Sequence, residues 1–191
     1  MSGIFAVVHF LVTLFFSLGL FVLWMRIFLR YFKISSLHPV SQAINTFTDP
    51  FVKPLENLIA TAKKAPRQYD WACFALVVIV EIIKFILLSF LLYKAMMPIT
   101  YLILFVLTDL VVQPCNLLFY ILLVRVIMSW VNPQWHHPLA EVMNKITNPL
   151  LALGRSIIPD ISGFDFSPYI ILVILKIIVL FMSASMPLRL I

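Results

Sequence analysis

Charged residues are scarce in this chain of 191 residues: Asp, Glu, Lys and Arg make up 12% of it, whereas soluble domains contain about 25%. Cysteine is almost absent as well. Cys73 and Cys115 lie in apolar runs and provide neither a disulfide framework nor metal-ligand spacing, so we interpret them as small buried apolar residues. Hydrophobic residues reach 63%, more than an aqueous domain of this length could bury. Lipid is therefore expected to solvate part of the chain.

An internal repeat is the most informative pattern in the chain. Residues 20–60 and 119–159 carry the same pattern at a constant spacing of 99 residues. The matching positions need no gap: Arg26 recurs as Arg125, His38-Pro39 as His137-Pro138, Asn45 as Asn144, and Thr48-Asp49-Pro50 as Thr147-Asn148-Pro149. Each copy lies between two long apolar stretches, so each half is predicted to be a helix, a polar connector and a helix. We place the two repeats at residues 1–98 and 99–191.

Four apolar segments are long enough to cross a hydrocarbon core of about 30 Å at a rise of about 1.5 Å per residue. They cover about residues 4–25, 72–93, 101–128 and 168–187. No basic residue precedes the first segment, so we interpret it as a retained transmembrane helix rather than a secretory signal. Pro98 is expected to open the third helix and Pro114 to kink it. A separate short interfacial helix over 94–108 is an alternative that the sequence leaves open.

Lysine and arginine predict the orientation of the four spans. Ten of them lie in the two connectors, whereas Lys94 and Arg189 lie on the opposite side. By the positive-inside rule, the connectors are expected to face the cytoplasm and both termini the opposite side of the membrane. Each repeat has two spans, so the repeats are parallel and a pseudo-two-fold axis along the membrane normal should relate them. The net charge of +6 belongs to this pattern, and no nucleic-acid binding is expected.

The connectors are predicted to contain amphipathic helices. In each copy a helix that begins at the repeated proline, Pro39 or Pro138, places four apolar residues on one face: Val40, Ala43, Ile44 and Phe47 in the first copy, and Leu139, Val142, Met143 and Ile146 in the second. These helices are expected either to lie on the cytoplasmic lipid surface or to dip towards the spans.

A second short helix is predicted to begin further along each connector. Asp49-Pro50 and Asn148-Pro149 each offer an N-cap residue followed by proline at the first helical position. The second connector ends in turns at Pro159 and Gly163, and Ser167-Pro168 is predicted to cap the fourth span. Asp70 aligns with Asp165 at a spacing of 95 residues, because the first connector holds four extra residues.

Two pairs of repeated side chains invite a functional interpretation. His38 and His137 could be metal ligands or proton relays, but neither has partner ligands in the sequence. We favour a role in fixing the turn before a helix or in meeting lipid headgroups. Arg26 and Arg125 end spans one and three, where they are expected to reach headgroups or to bond the last helical carbonyls. No metal or cofactor is expected.

Four ionisable residues lie at membrane depth, where such groups are rare and mark sites. Glu81 and Lys84 belong to the second span, Asp109 to the third and Lys176 to the fourth. The alignment makes Glu81 equivalent to Lys176, so both are expected at one depth. We predict a Glu81–Lys176 ion pair and a second pair between Lys84 and Asp109. Lys84 could compete for Glu81, which lies three residues away. A role in holding the bundle together is favoured over an ion or proton path.

Several segments resemble one protein family. FYILLVRVIMSWVNP (119–133), TNPLL (147–151), RSIIP (155–159) and GFDFSP (163–168) look like the second repeat of the YggT family, and LFVLWMRIFLRYF (20–32) and TDPFVKPL (48–55) resemble the first. The resemblance implies a multi-pass inner-membrane protein with no established catalytic activity. Bacterial members are linked to osmotic tolerance and potassium uptake. Plastid and Gram-positive relatives are linked to cytochrome assembly, nucleoid organisation and division.

Two departures from the family pattern lie in the connectors. The second copy has Leu153-Gly154-Arg155 where the family usually has a further proline and arginines. The first copy has Gln68-Tyr69-Asp70-Trp71 in place of the Gly-Asp-Ser-Pro ending. Any role of that ending is therefore expected in the second copy alone.

The sequence thus predicts an all-α protein of the bacterial inner membrane, with two parallel helix–connector–helix repeats. We expect a scaffold or stress-tolerance factor that contacts the lipid bilayer and other membrane proteins through its connectors. An ion transporter or channel subunit that uses the midplane charges is the alternative. An enzyme is not expected, since no nucleophile elbow, phosphate loop, metal motif or cofactor fingerprint occurs. A homo-oligomer is left open, although no Gly-x-x-x-Gly lies in a span.

Overall fold

The computed structural model describes residues 2–58, 69–131, 137–157 and 165–184. Within these ranges it contains six helices: α1 Ser2–Tyr31, α2 Pro39–Leu58, α3 Trp71–Tyr93, α4 Ile99–Val131, α5 Pro138–Ile157 and α6 Ser167–Ala184. Four of them, α1, α3, α4 and α6, are long and apolar enough to cross a membrane. The predicted all-α fold with four spans and a helix in each connector is confirmed. The turns predicted at Pro159 and Gly163 lie outside the described residues.

The two repeats are built alike and share a core. Each repeat runs span, connector helix, span: α1–α2–α3 and then α4–α5–α6. Within a repeat the spans pack together, α1 on α3 and α4 on α6, and the connector helix packs against both spans. The main apolar cluster joins both halves, since it includes Leu20, Val52 and Val77 of the first repeat and Ile121 and Ile146 of the second. The connector helices also contact each other.

The third span is one unbroken helix. The carbonyl of Pro98 accepts hydrogen bonds from the backbone nitrogens of Tyr101 and Leu102, and α4 continues through Pro114 to Val131. Lys94 ends α3 in the left-handed region with φ of 51°. Residues 94–98 therefore form a short connection, and the alternative of a separate helix over 94–108 does not hold.

The second short helix predicted in each connector is wrong. α2 continues through Pro50 and Pro54, and α5 continues through Pro149. The reason lies in the side chains that would have capped a new helix. The Thr48 hydroxyl donates to the carbonyl of Ile44 at 2.8 Å, and the Asp49 carboxylate accepts from Arg26 instead of from its own backbone. A tertiary contact has therefore replaced the local capping interaction that the sequence suggested.

The two apolar stripes of the connectors meet different surroundings. In α5, Val142 and Ile146 are buried in the shared core, as the stripe predicts. In α2, Ile44 packs against that core, but Phe47 is 73% exposed. Val52 takes the buried position instead. Phe47 therefore belongs to a second, outward apolar face of α2 and not to the face that packs on the spans.

Gly154 lies where α5 meets the start of α6. A Cβ atom at Gly154 would lie 2.9 Å from the Cβ of Ser167, so glycine permits the close approach of α5 to α6. The Asp165 carboxylate accepts from the backbone nitrogen of Ser167 at 2.9 Å. The helix begins at Ser167-Pro168 as predicted, but Asp165 makes the capping contact.

Candidate functional site

A buried arginine joins the first connector to both spans of its repeat. Arg26 is 2% exposed. Its Nε donates to Asp70 Oδ2 at 2.9 Å, and its NH1 donates to Thr48 Oγ1 and to Asp49 Oδ1, both at 2.6 Å. The predicted reach to headgroups or helical carbonyls is wrong for Arg26, because charge-assisted bonds to carboxylates hold the guanidinium inside.

Asp70 is the second centre of this cluster. Its Oδ1 accepts from the backbone nitrogen of Cys73 at 3.1 Å, which caps α3. Its Oδ2 lies 3.0 Å from the NH1 of Arg30 in addition to its bond with Arg26. Glu56 Oε1 lies 3.5 Å from Arg30 and 4.0 Å from Arg26. Two arginines therefore face three carboxylates, which compensates the buried guanidinium.

The equivalent cluster in the second repeat is more open. Arg125 is half-buried, and its NH1 donates to Thr147 Oγ1 and, at 2.9 Å, to Asn148 Oδ1. Asp165 is held by Arg155, whose NH2 lies 2.7 Å from its Oδ2. At the spacing of 99 residues, Arg155 occupies the position of Glu56. The guanidinium beside the second connector therefore has an amide partner where the first has a carboxylate.

Two connector carboxylates outside the spans are stabilised in their ionised form. Burial tends to raise the pKa of Asp49, but hydrogen bonds from Lys53 and Arg26 lower that pKa below its ordinary value. Burial likewise opposes ionisation of Asp165, and bonds from Ser167 and Arg155 lower its pKa. Both groups are therefore carboxylates at neutral pH.

The repeated histidines hold the turns before the connector helices. His38 Nδ1 accepts from the backbone nitrogen of Val40 at 3.3 Å, and His137 Nδ1 accepts from Leu139 at 3.2 Å. In a neutral ring this places the proton on Nε2. That arrangement supports the turn-fixing role rather than metal ligation. Among the described residues, no group of three or more His, Cys, Asp or Glu could hold a metal ion.

Three of the four ionisable residues predicted at membrane depth, Glu81, Lys84 and Asp109, form one cluster between α3 and α4. Lys84 Nζ bonds Asp109 Oδ2, and it lies 2.5 Å from Glu81 Oε2. Gln113 Nε2 donates to Glu81 Oε1 at 2.5 Å and to Asp109 Oδ2 at 3.5 Å. The structure thus brings Lys84 and Asp109 together as predicted. Glu81 is 0% exposed and takes the competing partner, Lys84.

The predicted Glu81–Lys176 pair does not form. Lys176 is exposed on α6, and its Nζ lies 5.7 Å from the centre of the Phe119 ring. α6 packs against α4 and α5, whereas α3 packs against α1 and α4. The repeat equivalence of Glu81 and Lys176 therefore does not bring the two side chains face to face.

A cavity of about 310 Å³ lies beside this cluster. Its polar lining comes from three helices: Thr13 and Ser17 of α1, Lys84 of α3, and Asp109, Gln113 and Asn116 of α4. The exposed lining residues, Ser17, Phe21 and Tyr120, belong to α1 and α4, so the cavity opens between these helices. The cavity gives charged groups at membrane depth an accessible face.

Comparison with known proteins identifies the family of this chain. The model of the CCB3/YggT family matches it twice, over residues 5–91 and 101–186. The chain belongs to the CCB3/YggT family. It is 31% identical over 172 residues to a protein of Escherichia coli strain K12 named "Uncharacterized protein YggT", covering 88% of this chain and 85% of that one. It is 30% identical over 165 residues to "Uncharacterized protein in proC 3'region" of Vibrio alginolyticus, covering 86% of each. No solved structure matches it.

The resemblance to YggT proteins is thereby confirmed, and neither the family nor the relatives' names indicate a catalytic activity. Sequence reasoning missed two parts of the site in this CCB3/YggT chain. Arg30 and Glu56 were not expected to join Arg26, and the only signal was their unequal replacement by Ser129 and Arg155 in the second copy. Thr13 and Ser17 were also missed, although their spacing of four residues puts both hydroxyls on one helix face.

Proposed function

We propose that this chain is a non-catalytic inner-membrane scaffold or assembly factor that supports stress tolerance linked to osmotic and potassium homeostasis. The outward face of α2 carries the proposal. Phe47, Phe51 and Leu58 are 73%, 64% and 82% exposed and lie on one side of the helix. A row of large apolar side chains on a helix next to the membrane surface fits docking of a partner helix.

The opposite side of α2 supports the same proposal, because it is fixed to the spans. Thr48 and Asp49 bond Arg26 of α1, and Val52 is fully buried. A docking face held by buried, charge-assisted bonds is preorganised, which lowers the entropy cost of binding. The excess of lysine and arginine in the connectors supports a cytoplasmic position for α2, with both termini in the periplasm.

The test is complementation in a host that lacks its own family member, grown at high osmolarity with limiting potassium. We expect Phe47→Ser with Phe51→Ser to abolish rescue while the protein accumulates in the membrane at the normal level. Gln42→Ser with Asn57→Ser is the matched control, since both residues are exposed and polar on the same helix, and it should rescue fully. Full rescue by the double phenylalanine variant would contradict the proposal.

Partner docking can be separated from simple contact with lipid. A photoreactive amino acid at Phe51 should crosslink to a protein in the rescued host. A crosslink to lipid alone would assign the outward face of α2 to the membrane surface.

Ion passage is a second candidate function, favoured by the cavity between α1 and α4. A membrane-depth cavity lined by Lys84, Asp109 and Gln113 is a setting in which ionisable groups serve ion or proton paths. Potassium flux through the purified protein in liposomes, lost on Asp109→Asn, would establish this function.

A further inference from the structure

The cluster beside the cavity holds more acid than base. Glu81 and Asp109 share the single ammonium group of Lys84. Asp109 is the accessible member, with 15% of its side chain exposed and its residue on the cavity wall. A second cation entering the cavity would find a carboxylate that shares its ammonium partner with Glu81.

Lys176, elsewhere on the molecule, carries the charge opposite to that of Asp109. It lies nine residues after the start of α6 and eight before its end, which is the middle of a span. Its side chain is exposed, and no carboxylate lies within 4 Å of its Nζ among the residues that the structure describes. A lysine without a carboxylate partner is costly at the centre of a membrane-spanning helix. The position is therefore stabilised by any acceptor that reaches it.

The lining of the cavity suits a lysine side chain. Hydroxyl and amide oxygens from Thr13, Ser17 and Asn116 surround the approach to Asp109, and apolar walls suit a hydrocarbon stem. The Thr13 hydroxyl is buried and has no hydrogen-bond partner in the described ranges. The cavity volume of about 310 Å³ is an order of magnitude larger than the volume that one water molecule occupies in the liquid, about 30 Å³.

The sequence spacing predicts matching depths for Lys176 and for Glu81, which lies in the cluster beside the cavity. Glu81 follows Asp70 by eleven residues, and Lys176 follows Asp165 by eleven. Both aspartates lie at the connector end of a span, so each charge is about 16 Å along its helix at about 1.5 Å per residue. Gln113 and Asp109 are bonded into the same cluster as Glu81.

We propose that Lys176 of one copy enters the cavity between α1 and α4 of a second copy and pairs there with Asp109. Copies with the same orientation in a membrane are related by a rotation about its normal, which preserves depth. The two surfaces differ, so the contact is head-to-tail and builds a ring or an open row. Lys176 thus pairs with Asp109 of another copy, and not with Glu81 of its own chain. This inference does not depend on the proposed scaffold function.

The test is subunit counting by single-molecule photobleaching of the full chain in lipid nanodiscs and liposomes. The wild type should form oligomers larger than dimers. Lys176→Met keeps the stem but removes the ammonium group, and Asp109→Asn removes the carboxylate of the cavity; each variant alone should be monomeric. An equal mixture of the two should form dimers and nothing larger, because one Lys176 and one Asp109 remain to meet. Lys145→Met, at an exposed lysine of α5, is the control and should assemble like the wild type.

Ser17→Phe keeps every charge and narrows the mouth of the cavity, so it should behave like Asp109→Asn even if the latter folds poorly. Lys176→Arg should restore assembly. A monomeric wild type, normal assembly of Lys176→Met, or a mixture of the two variants that stays monomeric would each overturn the proposal.

Discussion

The arginine clusters of the two repeats occupy equivalent positions but hold their connectors with different amounts of charge. Arg26 is almost fully buried and faces three carboxylates, two of which, Glu56 and Asp70, it shares with Arg30. Arg125 is half-buried and bonds an amide and a hydroxyl. Each connector nevertheless contains one helix of 20 residues that packs on the two spans of its own repeat. A repeat therefore adopts this fold without the carboxylates. Full burial of its arginine, however, requires them.

The unequal clusters follow from a few replacements between the copies. Asp49 corresponds to Asn148, Glu56 to Arg155 and Arg30 to Ser129. With Arg155 in place of an acid, Asp165 has a basic partner nearer to the surface than Arg125. Charged contacts are thus expected to hold the connector of the first repeat more strongly than that of the second.

Removal of the buried guanidinium should have the largest effect. Arg26→Met leaves Asp70 buried with Arg30 as its remaining basic partner, and loss of one member of a buried ion pair costs about 3–5 kcal/mol. Arg125→Met should cost about 1 kcal/mol, since it loses bonds to neutral groups. Unfolding in mixed detergent micelles measures both. Equal losses for the two variants would contradict the proposed asymmetry.

Replacement of the capping aspartate should likewise destabilise the protein more in the first repeat than in the second, but by a smaller amount. Asp70→Asn weakens charged bonds to two arginines, with an expected loss of about 2–3 kcal/mol. Asp165 is partly exposed and paired with an exposed Arg155, so Asp165→Asn should cost at most about 1 kcal/mol. The same unfolding assay ranks the two losses of stability. The reverse order would show that charged contacts stabilise the second repeat more than the first.

A gain of charge can sharpen the comparison. Asn148→Asp places a carboxylate beside Arg125, as Asp49 lies beside Arg26, and should stabilise the protein by about 0.5–1 kcal/mol because the site is partly exposed. Asp49→Asn is the reciprocal change and should destabilise it. If Asn148→Asp is destabilising, then the difference between the repeats is not one of charge compensation.

The smallest expected effect is a dependence on acid pH. The folded-state pKa of Asp165 is lowered, so its stabilising contribution is complete above its unfolded pKa of about 3.9 and is lost as the pH falls through the folded value. The stability difference between the wild type and Asp165→Asn should therefore be constant at neutral pH and shrink in acid. A difference that grows as the pH falls would contradict the direction of this shift.

The spans, the repeat and the Lys84–Asp109 contact could be predicted because they depend on composition, spacing and charge balance. The continuous path of α2 through Pro50 could not, since Arg26, 24 residues earlier in the chain, takes the Asp49 carboxylate that would cap a new helix. The Glu81–Lys176 pair failed for a related reason. Repeat symmetry predicts depth, but the direction in which a side chain points depends on how α3 and α6 pack against α4.

Potassium flux into liposomes that contain only the purified protein is the most direct test of a scaffold without transport activity. Flux should be followed under both signs of membrane potential, with Asp109→Asn as the matched variant. We expect the wild type to show no flux above that of protein-free liposomes. A potassium flux that Asp109→Asn abolishes, in protein that circular dichroism shows to be folded, would contradict this and make the cavity between α1 and α4 part of an ion path.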